Sequence, residues 1–187
     1  PTGAVVIRLV DGEPEFEIQA DQAYDHIDAE ELPSFTERVG RDPIFYQGTL
    51  ALRSPASARA AEAARSRLAR ECGELAVFYD VNLRDPWWNP EMVEREMQRA
   101  DHLKLNQDEL TRLRPGSGEH GERARRLRGE CQAEAVYLTR GEAGAVAVSA
   151  RDGEAAVKPK GEVELIDPVG AGDAVASVLI LGQLGGW

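Results

Sequence analysis

Leu75-Ala76-Val77-Phe78-Tyr79-Asp80-Val81-Asn82-Leu83-Arg84 is the stretch whose reading decides the fold. Its first six residues are a near-continuous apolar run, the pattern of a strand buried on both faces of a parallel sheet. Polar side chains then arrive where such a strand would end. Upstream, Ser54-Pro55 supplies an N-cap and a first-turn proline for a long Ala/Arg/Glu-rich helix running to about Glu71, with Gly73 as its stop. Residues 43–50 carry a short apolar strand before that helix. Downstream, the pattern predicts a helix over 90–100 and a strand over 102–105. A helix from near Asn106 and another over about 119–129 follow. The strand 135–139 has a hairpin partner over 144–148, and the chain finishes with a strand over 163–166 and a helix from about Ala171. Strands alternating with helices predict an α/β three-layer domain with a mostly parallel sheet. Residues 4–10 and 15–19 flank the turn-rich Asp11-Gly12-Glu13-Pro14, read as a β-hairpin, and stand apart from this rhythm as part of a small β lid.

With 187 residues, 42% of them hydrophobic, one domain with a sizeable core is expected. The formal charge of −11 argues against a nucleic-acid groove or an anionic membrane surface as the main partner. It leaves room for an anionic ligand, because a local cluster of backbone N–H groups binds phosphate even on an acidic protein. Cys72 and Cys131 lie far apart with no CxxC spacing and read as thiols in a reducing compartment. No window approaches the roughly 18 apolar residues of a membrane span, and no basic-then-apolar leader opens the chain, so a cytoplasmic, soluble protein is expected. The chain opens on Pro1-Thr2-Gly3 without Met and closes on Leu184-Gly185-Gly186-Trp187, which suggests a single incomplete domain over 1–187. Its parts would be a lid hairpin over 1–20 and a nucleotide-binding α/β core over 43–187.

The densest chemical signal is Asp167-Pro168-Val169-Gly170-Ala171-Gly172-Asp173-Ala174-Val175, set between a predicted strand and an apolar helix. Gly170 and Gly172 allow a tight turn and a close approach of backbone to ligand. Free N–H groups at the helix start, with the helix dipole behind them, suit charge developing on a transferred phosphoryl group. Asp173, in the first turn, is placed to accept a proton from an attacking hydroxyl. The same spacing also fits a Gly-rich connector whose Asp merely caps a helix.

Further segments are quieter. Asp80-Val81-Asn82-Leu83-Arg84 ends a buried strand, where open α/β sheets place ligand groups. Arg84 suits a phosphate or sugar oxygen through its planar fork, and a structural strand-end network is the plainer reading. In Lys104-Leu105-Asn106-Gln107-Asp108-Glu109, Asn106 and Glu109 share one helix face. That spacing equally describes an N-cap with its reciprocal Glu. Thr139-Arg140-Gly141-Glu142-Ala143-Gly144 is by itself an ordinary hairpin turn. Gly116-Ser117-Gly118-Glu119-His120-Gly121 matches GxGxxG literally but follows a helix and Pro115, not a buried strand, and reads as a loop. No GxxxxGK[ST] occurs, and His26, His102 and His120 have no metal spacing. Trp87-Trp88 reads as packing around the Arg84 loop rather than a sugar platform.

Taken in order, these segments resemble the PfkB/ribokinase family of carbohydrate kinases. The resemblance runs through Gly-Ala-Gly-Asp after Asp167, the Asp-x-Asn-x-Arg strand end, Lys-x-Asn-x-x-Glu, and Thr-x-Gly-x-x-Gly. Pro168 stands where that family usually carries Thr, which removes one N–H and stiffens the turn. The opening hairpin, Tyr46-Gln47-Gly48-Thr49-Leu50 and Arg84-Asp85-Pro86-Trp87-Trp88 look most like bacterial fructokinases. The resemblance implies a ribokinase-like fold, ATP as phosphoryl donor and a sugar as acceptor. Asp173 would be the base and Gly170, Ala171 and Gly172 the anion hole. Asn82 and Arg84 would face substrate and phosphate. Asn106 and Glu109 would organise phosphate and water-bound Mg²⁺, since one carboxylate and one amide suit a hard cation that keeps its waters. Thr139, Arg140, Gly141, Glu142, Ala143 and Gly144, with Asn106 and Gly172, would contact nucleotide. Asp167 and the carbonyl of Val169 would hold a monovalent cation such as K⁺. The family's lid strands often form dimers, so a homodimer is implied. Ribokinase, 2-keto-3-deoxygluconate or nucleoside kinase activity, or a non-catalytic nucleotide- or sugar-binding role, are the alternatives.

Overall fold

The computed structural model describes residues 3–10, 13–35, 39–40, 42–160 and 169–186. They fall into two compact units, one of residues 1–41 and 51–73, the other of 42–50 and 74–187.

In the first unit, β1 (Val5–Val10) and β2 (Glu13–Ile18) pair antiparallel as a separate two-stranded sheet, from Val5 opposite Ile18 to Val10 opposite Glu13. The hairpin expected from the sequence is therefore present. A long helix, α1 (Pro55–Cys72), is also present, with Ser54 as its N-cap accepting from the Ala56 amide and Gly73 as its stop. A short 3₁₀ turn, Ala23–Asp25, docks on α1: the Ser57 hydroxyl donates to the Tyr24 carbonyl at 2.6 Å. Asp25 and Arg53 seal this corner. Arg53 Nε and Nη2 each stand 2.6 Å from an Asp25 oxygen, both side chains are buried, and the guanidinium lies over the Tyr24 ring. Such a two-pronged ion pair is stronger than a single contact and fixes geometry as well as charge.

The second unit is a six-stranded sheet in sequence order. It comprises β3 (Ile44–Gly48), β4 (Ala76–Asp80), β5 (His102–Asn106), β6 (Ala135–Thr139), β7 (Ala145–Ser149) and β8 (Gly153–Val157). Strands β3 to β6 run parallel; β7 and β8 return antiparallel. The registers align Tyr46, Phe78, His102 and Ala135 as neighbours on one face, with Gly48, Asp80, Lys104 and Tyr137 one step along toward the strand ends. The other face carries Tyr79, Leu103 and Val136, all fully buried. Burial of β4, β5 and β6 on both faces explains why these strands read as apolar runs rather than alternations.

Helices cover the two faces. α2 (Pro90–Met97), α3 (Gln107–Leu113) and α4 (His120–Cys131) belong to the Tyr79 side. There Gln47 donates to Glu96 at 3.0 Å, and Arg114 ties Glu94 of α2 to Glu130 of α4. α5 (Ala171–Gly185) lies on the other face, where Ala176, Leu179 and Ile180 pack against Phe78, Ala135 and Tyr137, and Gln183 donates to the Tyr137 hydroxyl at 2.7 Å. A three-layer α/β arrangement results, with a mostly parallel sheet. Between β6 and β7, Gly144 adopts a φ of +87°, and a Cβ there would overlap the Val157 carbonyl, so only glycine closes this turn. The strand predicted over 163–166 lies outside the described residues. β8 was not expected from the sequence. Cys131 is buried and its thiol is pushed up to about 11 by that burial; both cysteines are free. Among the described residues, no helix is long and apolar enough to cross a membrane.

The Asp25–Arg53 pair makes stability depend on acid. The Arg53 guanidinium, opposed by burial and helped by the Gln22 amide, holds the Asp25 carboxyl down to about 2 from an ordinary 3.8. A carboxyl depressed in the folded state contributes its stabilisation fully above its unfolded value and loses it as pH falls through the folded one. Asp25→Asn should therefore flatten the loss of urea resistance between about pH 4 and about pH 2 relative to the unaltered protein. Equal slopes in the two proteins would show that the pair does not carry this dependence.

Candidate functional site

Parallel strands deliver their side chains in step, so the ends of β3, β4, β5 and β6 share one edge of the sheet. Open α/β sheets bind ligands at that edge. On it, Asp80 and Lys104 are direct register partners. Lys104 Nζ lies 2.8 and 3.0 Å from the two Asp80 carboxylate oxygens. The side chains are 7% and 1% exposed. An ion pair removed this far from water must be fully matched, because either charge alone would face a large desolvation cost. Burial pushes the Asp80 carboxyl up; Lys104 opposes that, and the Asp173 charge adds to it. Tyr46, on β3, reaches in from the side: its hydroxyl donates to Asp80 at 3.4 Å. Burial, then Asp80 and Asp173, push this phenol up to about 12, so it stays protonated and a donor.

α5 begins over the same edge. Gly170 is its N-cap in the left-handed region, with φ +80°, which a residue with a side chain adopts only under strain. Among the described residues, no side chain caps the helix start. The Gly170 carbonyl accepts from the Ala174 amide at 2.9 Å, so the amides of Ala171, Gly172 and Asp173 precede the first intrahelical bond. All these residues are exposed. A Cβ built on Gly172 would stand 3.5 Å from Lys104 Nζ, which puts the buried ammonium directly against the glycine turn. Asp173, Gly170, Ala171 and Gly172 are thus gathered with Asp80, Lys104 and Tyr46. Asp167 and Pro168 lie outside the described residues; Val169 is exposed at the turn before α5.

The other motif residues have local roles that the structure makes plain. Asn106 caps α3, its Oδ1 accepting from the amides of Asp108 and Glu109 at 2.9 and 2.8 Å. Glu109 returns to the Asn106 amide with one oxygen and accepts the Leu83 amide with the other, each at 2.8 Å. It thereby fixes the loop after β4, in which Asn82 takes a φ of +35°. Burial pushes the Glu109 carboxyl up, against these two amides. A carboxylate keeps lone pairs beyond two such bonds, which suits contact with a metal-bound water better than direct ligation. Among the described residues, no cluster of His, Cys, Asp or Glu converges as a direct metal site. Arg84 is exposed, with no side-chain partner among the described residues.

Thr139 ends β6 as the register partner of Asn106. The following turn closes on itself. The Arg140 amide donates to Gly144 at 2.8 Å, the Arg140 guanidinium to Ala143 at 2.9 Å, and Gly141, Glu142 and Ala143 form an exposed 3₁₀ turn. The structure therefore brings Thr139 to the same edge as Asn106. Trp88 belongs elsewhere: its indole donates to Asp85, and Arg112 lies over its ring beside a cleft of about 350 Å³ bordered by Glu94 and Arg114.

Sequence reasoning left Tyr46, Asp80 and Lys104 without a role. The available signal was one acid and one base in neighbouring apolar strands, Phe78-Tyr79-Asp80 and Leu103-Lys104-Leu105. Only the register shows that they meet.

A mostly parallel sheet whose strand ends face a glycine-initiated helix is the frame of a ribokinase-like α/β protein. The model of the pfkB family carbohydrate kinase matches residues 1–187, and the chain belongs to that family. No curated protein matches it. Fructokinase from Vibrio cholerae O395 in its apo form is 26% identical, with a TM-score of 0.76 over 96% of this chain and 60% of that one. Aminoimidazole riboside kinase from Salmonella enterica is also 26% identical, with a TM-score of 0.71 over 89% and 54%. A putative ribokinase II from E. coli, in complex with ATP and Mg²⁺, shares the fold at 22% identity and a TM-score of 0.76, over 98% and 58%. The chain spans little more than half of these proteins' lengths.

Glu109 offers a direct check on the site's internal wiring. Glu109→Ala strips acceptors from two backbone amides, each costing about 1–3 kcal/mol when left unsatisfied. Glu109→Gln retains one acceptor oxygen and should cost less. Chemical denaturation should rank the proteins native, then Gln, then Ala; equal stability of all three would contradict the double amide contact.

Proposed function

We propose that the full chain catalyses ATP-dependent phosphorylation of a sugar hydroxyl, with fructose as the first acceptor to test. The observation that carries this reading is the exposed first turn of α5, with its amides and Asp173, standing against the buried Asp80–Lys104 pair at the strand ends. The family membership supports the reaction class. A fructokinase from Vibrio cholerae O395 at 25% identity is known in a fructose-, ADP- and calcium-bound form, which supports the acceptor.

In this mechanism the acceptor hydroxyl attacks the γ-phosphorus of ATP as Asp173 takes its proton. The bond from the γ-phosphorus to the bridging oxygen breaks, and ADP leaves. Backbone N–H groups of Gly170, Ala171 and Gly172 hold the charge growing on the transferred group. Arg84, exposed and without a side-chain partner among the described residues, pairs with a phosphate or sugar oxygen, and Asn82 orients the acceptor beside it. The turn from Thr139 to Gly144 contacts the nucleotide. Asn106 and Glu109 would hold Mg²⁺ through water, and bound Mg²⁺ neutralises phosphate charge. Asp167 and the Val169 carbonyl would hold K⁺, the ion present in a fructose- and ADP-bound form of a double mutant of the Vibrio cholerae fructokinase. A riboside is the second acceptor to consider, because aminoimidazole riboside kinase reaches the same identity as the apo fructokinase.

The test is sugar-dependent ADP release by the full chain with Mg²⁺ and K⁺, against a panel of fructose, other sugars and ribosides. Asp173→Asn should lower kcat by about 10²–10⁴-fold while ATP affinity stays within about a factor of three. Turnover with a riboside alone would keep the mechanism and change the acceptor. Comparable turnover in the two proteins would remove Asp173 as the base.

A further inference from the structure

We infer that Arg112 is a positioning residue for Arg84: from α3, and through Asp85, it pins the loop after β4 that carries Arg84. The inference deepens the proposed kinase reading and rests on it. Residues 81–89, between β4 and α2, form no helix or strand. Such a loop holds an exposed arginine in one place only where its backbone is tied down, because each free residue keeps its conformational entropy. α3 supplies two ties. Glu109 accepts the Leu83 amide at 2.8 Å, and Arg112 Nη2 donates to Asp85 Oδ1 at 2.8 Å. Glu109 and Arg112 are three residues apart and share one helix face. Leu83 and Asp85 are the chain neighbours of Arg84 on its two sides. The backbone before and after Arg84 is thus fixed to the same helix.

The second tie is more than one contact. Asp85 Oδ1 also accepts the Trp88 indole N–H at 2.7 Å, and the Arg112 guanidinium lies over the Trp88 ring, 4.9 Å from its centroid. The Trp87 amide donates to the Arg84 carbonyl at 2.7 Å, closing the turn in which Asp85 sits. Arg112, and after it the Trp88 indole, hold the Asp85 carboxyl below its ordinary value, so it stays a charged acceptor. Asp85 and Arg112 are exposed, and an exposed ion pair adds little to the stability of a fold. What this cluster adds is geometry: a planar guanidinium fixed at once by a carboxylate and by an aromatic face has one orientation to offer. Of the two ties, only the one at Leu83 would remain without Arg112. Arg84 itself has no side-chain partner among the described residues, so the cluster holds its backbone and leaves its guanidinium to a phosphate or sugar oxygen. A binding group whose backbone is already placed loses less freedom when substrate arrives.

The experiment is a double-mutant cycle in the full chain, with sugar-dependent kcat/KM measured for the unaltered protein, Arg112→Met, Arg84→Met and the two changes together. Asp85→Ala, which breaks the same contact from its other side, and Arg112→Lys are measured alongside. Arg84→Met should lower kcat/KM about a hundredfold and Arg112→Met about tenfold, since a misplaced group costs less than an absent one. With Arg84→Met already in place, Arg112→Met should cost less than about a further factor of two, because its effect passes through Arg84. Asp85→Ala should match Arg112→Met, and Arg112→Lys should recover part of the loss by keeping a charge for Asp85. An unchanged kcat/KM in both Arg112→Met and Asp85→Ala would overturn the inference. So would the same tenfold loss with and without Arg84, which is what a residue serving only the fold produces. Normal turnover in Arg84→Met would sink the inference and leave the kinase reading standing. Absence of sugar-dependent turnover in the unaltered full chain would instead overturn the kinase reading, and the inference with it.

Discussion

Two opposite charges, Asp80 and Lys104, are sealed against each other at the edge where the parallel strands end. Neither could be buried without the other, since an unmatched ion in this setting costs several kcal/mol. Their meeting requires β4 and β5 to pair in one register only, because a shift of one residue between the strands would put the two side chains on opposite faces of the sheet. Once formed, the pair supports the first turn of α5 from below and accepts Tyr46 from the side. The site inherits its geometry from this contact.

Around that pair, the remaining polar contacts hold the strand ends in place. Glu109 ties the loop after β4 to the start of α3 through two backbone amides. On the far face, Thr49 binds both the Tyr79 hydroxyl and the Val81 carbonyl, which fixes the end of β3 against β4. The apolar layer under α5 is a run of rings, Tyr46, Phe78, His102 and Tyr137, with neighbouring centroids about 6 Å apart. Spacings of this kind add attraction beyond the area they bury. Rigid strands ending together, with a bare helix start above them, make a place where charge can be stabilised without reorganising the protein.

Much of this was legible in the sequence. Ser54-Pro55, Asn89-Pro90 and Asn106 mark helix starts by local chemistry, and each is a cap in the structure. The apolar run of β4 announced a strand buried on both faces, and β6 read as a strand with a hairpin partner. Gly-Ala-Gly-Asp before an apolar run marked the start of α5. What stayed hidden depends on tertiary contact or lacks a pattern. β8 reads Gly-Glu-Ala-Ala-Val and is exposed throughout, so no alternation betrays it; its pairing with β7 alone makes it a strand. The link between Asp80 and Lys104 spans 24 residues and exists only through register. The grouping of α1 with the hairpin unit likewise follows from contacts that no local pattern encodes.

The most direct measurement of the central claim is a crystal structure of the full chain with ADP, aluminium fluoride, Mg²⁺ and the acceptor sugar. The account predicts the fluoroaluminate against the amides of Gly170, Ala171 and Gly172, with Asp173 beside the acceptor hydroxyl and the Asp80–Lys104 pair intact below. A fluoroaluminate bound elsewhere, for instance in the cleft beside Trp88 and Arg112, would contradict it.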